Sequence, residues 1–250
     1  MITVYAMAER LRRPPTAAGI GGVPVEIVQH RSLALAVTRH VSPPDRSTEA
    51  VLAHAGVCED LMSKADAVLP VRFGAVFDDE VALRSSIDER YEQLVGGLEH
   101  VRGRLEIGVR VGWDRAATTA APRGTSEAPG DAAGHEVSTG DATGDATAGR
   151  AYLMARVEEE RRRNAVQRRA EDVAGRLHEA LRAPAVDSRV QVLPTDGLVM
   201  SGAYLVECPE LDRMVARVRE TAREHPELDV LCTGPWPPYS FADMEDIRAR

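Results

Sequence analysis

Apolar positions along this chain recur with two spacings, one near two residues and one near three and a half. Runs rich in β-branched and aromatic residues at 2–8, 23–29 and 33–38 predict three strands, the last two meeting at His30-Arg31-Ser32 as a hairpin. Val51, Ala55, Cys58, Met62 and Ala65 then step by three or four, so a helix is predicted to open at Pro43-Pro44-Asp45. The run Val68-Leu69-Pro70-Val71-Arg72-Phe73-Gly74-Ala75-Val76-Phe77 is nearly all apolar and contains a glycine, which favours a buried strand. Asp78-Asp79-Glu80 puts acid where a helix dipole is positive, and Ile87, Tyr91, Leu94 and Leu98 give that helix one apolar face. Leu105, Ile107, Val109, Val111 and Trp113 alternate with Glu106 and Arg110, the pattern of a half-buried strand.

The pattern then stops. Residues 114–150 are mostly Ala, Thr, Gly, Ser, Pro and Asp, with Val137 the one large aliphatic side chain. Such a segment cannot bury enough apolar surface to offset its ordering entropy and is predicted to be a disordered linker. Beyond it, 151–183 reads as one helix whose stripe is Val166, Ala170, Val173, Leu177 and Leu181. Glu158-Glu159-Glu160 precedes Arg161-Arg162-Arg163, pairing charges at i,i+3 and i,i+4 on a solvated face. Strands over 186–193 and 199–207, a helix opened by Pro209, and a strand over 228–233 complete the chain. The expected organisation is α+β in two domains, with antiparallel sheets and helices on one face of each. An N-terminal α+β domain spans 1–113, the linker 114–150, and a ferredoxin-like domain with an aromatic and proline-rich tail 151–250.

Composition removes several kinds of function. The net charge of −8 disfavours nucleic acid and anionic membrane as main partners, since both reward a basic face. No apolar stretch has transmembrane length and the first residues lack a signal-peptide pattern, so the expected location is the cytoplasm. Cys58, Cys208 and Cys232 are widely separated, with no Cys/His ligand spacing, which leaves neither a disulfide framework nor a zinc site. The seven histidines stand singly, serine has no GxSxG context, and Gly19-Ile20-Gly21-Gly22 matches no phosphate-loop pattern and reads as a turn. The acidic pairs Glu59-Asp60 and Asp78-Asp79 suit helix capping better than paired acid–base work. No cofactor, metal or catalytic set is expected, and the chain reads as a non-enzyme.

Two stretches stand out. Arg72 lies within an apolar strand pattern; turned inward it requires a carboxylate, for which Glu106 is the candidate, and turned outward it is an ordinary surface charge. Gly234-Pro235-Trp236-Pro237-Pro238-Tyr239-Ser240-Phe241 holds three of the chain's ten aromatic residues. Its prolines predict that the last strand ends before it. The stiff segment that results offers Trp236, Pro237, Pro238, Tyr239 and Phe241 as partner contacts, or packs on its own domain.

Taken together these stretches resemble the gas vesicle protein F/L (GvpF/GvpL) family. The resemblance rests on Val4-Tyr5-Ala6, the VLPVRFGAVF run at 68–77, LEIGVRVGW at 105–113, Ala151-Tyr152-Leu153, Ala203-Tyr204-Leu205-Val206 and GPWPPYSF at 234–241, in order over nearly the whole chain. It implies an accessory or minor structural protein of the gas vesicle, a hollow protein shell that gives buoyancy. It implies two α+β domains, the second ferredoxin-like. It also implies partners: the small hydrophobic major shell subunit and other gas vesicle accessory proteins. The alternative from the residues alone is a small-ligand-binding module or enzyme on a ferredoxin-like scaffold, its site gathering Arg72, Glu106 and a histidine.

Overall fold

The computed structural model describes residues 1–114, 142–193, 195 and 197–242, with backbone alone at 142–149 and 151. The strands are β1 (Ile2–Glu9), β2 (Glu26–His30), β3 (Leu33–Arg39), β4 (Ala67–Pro70), β5 (Val76–Phe77), β6 (Arg104–Trp113), β7 (Asp187–Val192), β8 (Leu198–Glu207) and β9 (Leu228–Trp236). The helices are α1 (Thr48–Met62), α2 (Glu80–Asp88), α3 (Tyr91–Val101), α4 (Ala142–Leu181) and α5 (Leu211–Glu224). Two antiparallel sheets result, as an α+β reading requires.

The first sheet has the order β2-β3-β1-β4, with β5 on β1 beyond β4. Its central strand β1 is buried from Ile2 to Ala8 because both faces are covered. Tyr5, Ala6 and Ala8 meet α1 on one face, while Ile2, Val4 and Met7 meet α2 and α3 on the other. A bulge between Val4 and Ala6 breaks the strand's alternation, so the consecutive side chains Tyr5 and Ala6 both meet the α1 layer.

Four local expectations are corrected. Helix α1 starts at Thr48, after the proline pair, where the Ser47 side chain accepts the Ala50 amide at 3.2 Å. The apolar run 68–77 is two strands separated by a turn. Gly74 in that turn has φ +94°, open to glycine and strained for other residues. The helix expected after Asp79 breaks at Glu89-Arg90 into α2 and α3, and Asp79 caps α2 through the Ala82 amide at 2.8 Å. The last strand runs through Gly234-Pro235 to Trp236, with the irregularity taken up opposite the Glu106–Gly108 step of β6.

The second sheet has the order β7-β8-β6-β9. Strand β6 therefore lies inside it, hydrogen-bonded to β8 and β9, rather than with the N-terminal unit to which the boundary at 113 assigned it. It supplies the first strand of a β-α-β-β-α-β run, the connectivity of a split βαβ unit. Ile107, Val109 and Val111 of β6 pack with Met200, Tyr204 and Val206 of β8 beneath Ala170, Ala174 and Leu177 of α4 and Met214 and Val218 of α5. Helix α4 begins at Ala142, upstream of the expected Ala151; the rest of the expected linker, 115–141, lies outside the described residues.

Candidate functional site

The side of the second sheet away from α4 and α5 is set by register. Gln191, Ser201, Arg110 and Leu231 form one row across the four strands, and Arg189, Ala203, Gly108 and Thr233 the next. Ser201, Ala203 and Gly108 on the two central strands are small and leave a trough of about 490 Å³. Arg189 and Gln191 border it on β7, and Thr233 and Trp236 on β9. Leu231 and Trp236 are about half exposed, at 53% and 42%.

At one end the trough is closed by the segment that follows β9. Ser240 donates its backbone N–H and its hydroxyl to the two carboxylate oxygens of Glu106, both at 2.8 Å. Glu106 is buried, and that burial raises its carboxyl above the usual range; the two Ser240 bonds and the nearby Arg189 charge oppose the rise. Phe241 is buried in the core of the first sheet together with Leu205 of β8, and the Arg189 guanidinium lies over its ring. Pro238 lines a cavity of about 320 Å³ at the junction of the two units, beside Arg12, Asp66, Arg104 and Cys208. The Tyr239 hydroxyl meets the buried Cys58 thiol of α1, which burial pushes up to about 12. Residues 237–242 thus form a strap that leaves the second sheet and anchors in the first unit.

This placement divides the expected contact residues. Pro237, Pro238 and Phe241 are buried within the chain and are not a surface; Trp236 is exposed and Tyr239 partly so. Arg72 is corrected more fully. It is exposed in the turn between β4 and β5, and buried Glu106 is satisfied by Ser240 instead. Sequence spacing could not have found that bond, because its partners are separated by the whole second unit.

Sequence reasoning also missed His54 and Asp60. His54 is buried in α1, its ring edge-on to Tyr5 at 5.2 Å and tilted against Phe73 at 5.7 Å. Burial lowers it to about 4, so the neutral ring is held in the core. Asp60 accepts the Thr16 and Ala17 amides at 2.6 and 3.0 Å and pairs with Lys64 at 2.7 Å. Burial would raise its carboxyl, but these bonds outweigh that and hold it below the usual range. Both act structurally, one filling the core and the other pinning the loop after β1.

Among the described residues no three His, Cys, Asp or Glu side chains gather as a metal site, and no helix is long and apolar enough to cross a membrane. At the trough, the Thr233 hydroxyl donates to the Gly108 carbonyl at 3.4 Å and Ser240 holds Glu106.

The comparisons with known proteins agree with one another. The family profile described as "Gas vesicle synthesis protein GvpL/GvpF" matches residues 2–243. Gas vesicle protein L of Streptomyces sp. (strain CB03234) is 29% identical over 94% of this chain and 90% of its own length. Gas vesicle protein F2 of Halobacterium salinarum is 28% identical over 87% of this chain and 79% of its own. The crystal structure of GvpF from Microcystis aeruginosa superposes with a TM-score of 0.72 at 18% identity, covering 97% of this chain and 98% of that one. That of GvpF from Anabaena sp. PCC7120 gives 0.70 at 16% identity, over 97% and 95%. A match over nearly the whole sequence, on the same two-sheet fold, places this chain in the GvpL/GvpF family of gas vesicle synthesis proteins.

Proposed function

We propose that this protein is a non-enzymatic assembly or minor structural component of gas vesicles, cytoplasmic and vesicle-associated. In this reading it holds the small hydrophobic shell subunit and meets other accessory proteins. The family is one of gas vesicle formation; the shell-subunit contact and the residues that make it are our reading. The observation that carries it is the exposure of Trp236, with Leu231 exposed further along β9 on the same sheet face, on a backbone fixed by the strap. An aromatic side chain on a rigid support loses little entropy on binding and suits an apolar partner face. Tyr239 extends this surface where its ring is open, while its hydroxyl stays on Cys58.

The test is a pull-down of the purified protein with the major shell subunit at low and high salt. Retention in high salt is expected, since apolar contact is not screened. Replacing Trp236 and Leu231 together by alanine is expected to weaken retention by about 30-fold or more, the scale of a lost aromatic anchor. Both side chains are substantially exposed, so far-UV circular dichroism should be unchanged. Unaltered retention by that folded double variant removes this surface as the contact.

A further inference from the structure

Strand β9 is the outer strand of the second sheet: it is hydrogen-bonded to β6 and, among the described residues, to no other strand. Which of its backbone groups face outward follows from one bond. The Asp114 amide donates to the Glu227 carbonyl at 3.1 Å, which makes 114 and 227 a hydrogen-bonded pair. Such pairs recur at every second residue of an antiparallel ladder, so Asp229, Leu231 and Thr233 turn their N–H and C=O groups towards β6. The other ladder of β6 agrees. The Cys208 amide donates to the Gly103 carbonyl at 3.0 Å, so the odd residues of β6 face β8 and the even ones face β9. Val230 and Cys232 therefore turn their N–H and C=O groups away from the sheet, and no other backbone bond among the described residues takes them. Natural edge strands are blunted by charge, by proline or by a covering element. Strand β9 is charged only at Asp229 and has its proline at 235, so Val230-Leu231-Cys232-Thr233 between them is an uncharged edge.

We propose that this edge takes an extended segment of the shell subunit as an added strand, paired through the N–H and C=O groups of Val230 and Cys232. In strand addition the main-chain bonds supply affinity, and side chains at alternate positions supply specificity. On the open face the added side chains come opposite Leu231 and Thr233, on the surface that also carries Trp236. On the helix face they come opposite Val230 and Cys232, which pack towards α4 and α5. The Arg219 charge of α5 acts on Cys232 at that place. Arg219 is exposed and makes no ion pair among the described residues. The segment that fits is therefore apolar towards the open face and carries a carboxylate towards Arg219. A second copy of this chain fits poorly. Its own β9 would offer only Val230 and Cys232 on the helix face, with no carboxylate, and would set both Arg219 side chains on one face of the joined sheet. The inference rests on the reading of Trp236 and Leu231 as the partner surface, and adds how the partner's backbone is held there.

The test is residue-resolved amide hydrogen exchange on the full chain, free and in complex with the major shell subunit. In the free chain the Leu231 and Thr233 amides are expected to be protected by the β6 ladder, while those of Val230 and Cys232 exchange freely. In the complex, exchange at Val230 and Cys232 is expected to slow by about tenfold or more. Cys232→Pro removes only an outward N–H, which an edge strand tolerates. It is expected to weaken retention of the shell subunit by about tenfold, the scale of one lost hydrogen bond, whereas Cys232→Ser keeps the N–H and should bind as the wild type does. Arg219→Glu leaves the strand backbone untouched and should weaken retention as well. Val230 and Cys232 amides that still exchange freely, in a complex that Trp236→Ala with Leu231→Ala abolishes, overturn this inference and leave the surface reading standing. A folded Cys232→Pro variant that binds as the wild type does also overturns it. A wild type that retains no shell subunit overturns both. Protection in the free chain that grows with its concentration assigns the edge to a second copy and overturns the occupant proposed.

Discussion

His54 shows how one side chain decides which face of a helix turns inward. The stripe read from apolar residues alone was Val51, Ala55, Cys58, Met62 and Ala65; the residues buried on α1 are Ala50, His54, Val57, Cys58 and Leu61. Skipping a histidine rotated the stripe, because a neutral imidazole between Tyr5 and Phe73 packs like an aromatic ring. The missed signal was spacing, since 50, 54, 57 and 61 also step by four and three. A pH dependence follows. His54 sits near 4 in the folded chain against about 6.5 unfolded, so between those values the unfolded state holds more protons. Its contribution is complete above about pH 6.5 and declines as pH falls towards 4, by at most about 3 kcal/mol. His40 is lowered in the same direction by burial and by the N-terminal charge. His54→Leu is therefore expected to flatten, without abolishing, the fall of the urea midpoint over that window. Identical slopes for variant and wild type would show that His54 does not titrate with folding.

At the scale of elements, local pattern gave strand identity and left partnership open. The alternation in β6 was legible from Leu105 to Trp113, but alternation does not say which sheet a strand joins. Position in the chain suggested the first unit; register with β8 and β9 places it in the second. The proline-rich end of β9 was misjudged for a related reason. Pro235 lacks an N–H, yet a local shift in register carries the pairing on to Trp236. Gly234 makes that path possible: φ is +109°, and a Cβ there would lie 2.8 Å from the Glu106 carbonyl oxygen. The strap depends on the same corner. Glu106→Ala leaves two Ser240 donors without their acceptor and is expected to cost about 1–3 kcal/mol in chemical denaturation. Glu106→Gln retains one acceptor and removes a buried charge, so it should cost less. Ser240→Ala should be non-additive with Glu106→Ala, because each removes the same hydroxyl contact. Full additivity in that double-mutant cycle would mean the bond contributes nothing.

Across the whole molecule, the two sheets share core through Leu205 and Phe241. Both side chains belong to the second unit or its strap, and both are buried in the cluster that includes Met7, Leu69, Leu98 and Val101 of the first. The aromatic tail was legible in the sequence as unusual. Its division into an inward anchor and an outward surface was not, since that depends on where β9 ends in space. Phe241 is the anchor whose loss tests the coupling. Phe241→Ala is expected to cost about 3–5 kcal/mol by transfer and cavity terms. It should also separate the unfolding of the two units, because the strap would retain only Ser240, Tyr239 and Pro238. Trp113 and Trp236 both lie on the second sheet, so tryptophan fluorescence follows that unit, whereas far-UV circular dichroism follows both. In the wild type the two probes should coincide in one transition. In Phe241→Ala they should part, with one unit melting at lower denaturant than the other. Coincident curves in the variant would locate the coupling in the remaining contacts, and a rigid strap would then not be what supports Trp236 from behind.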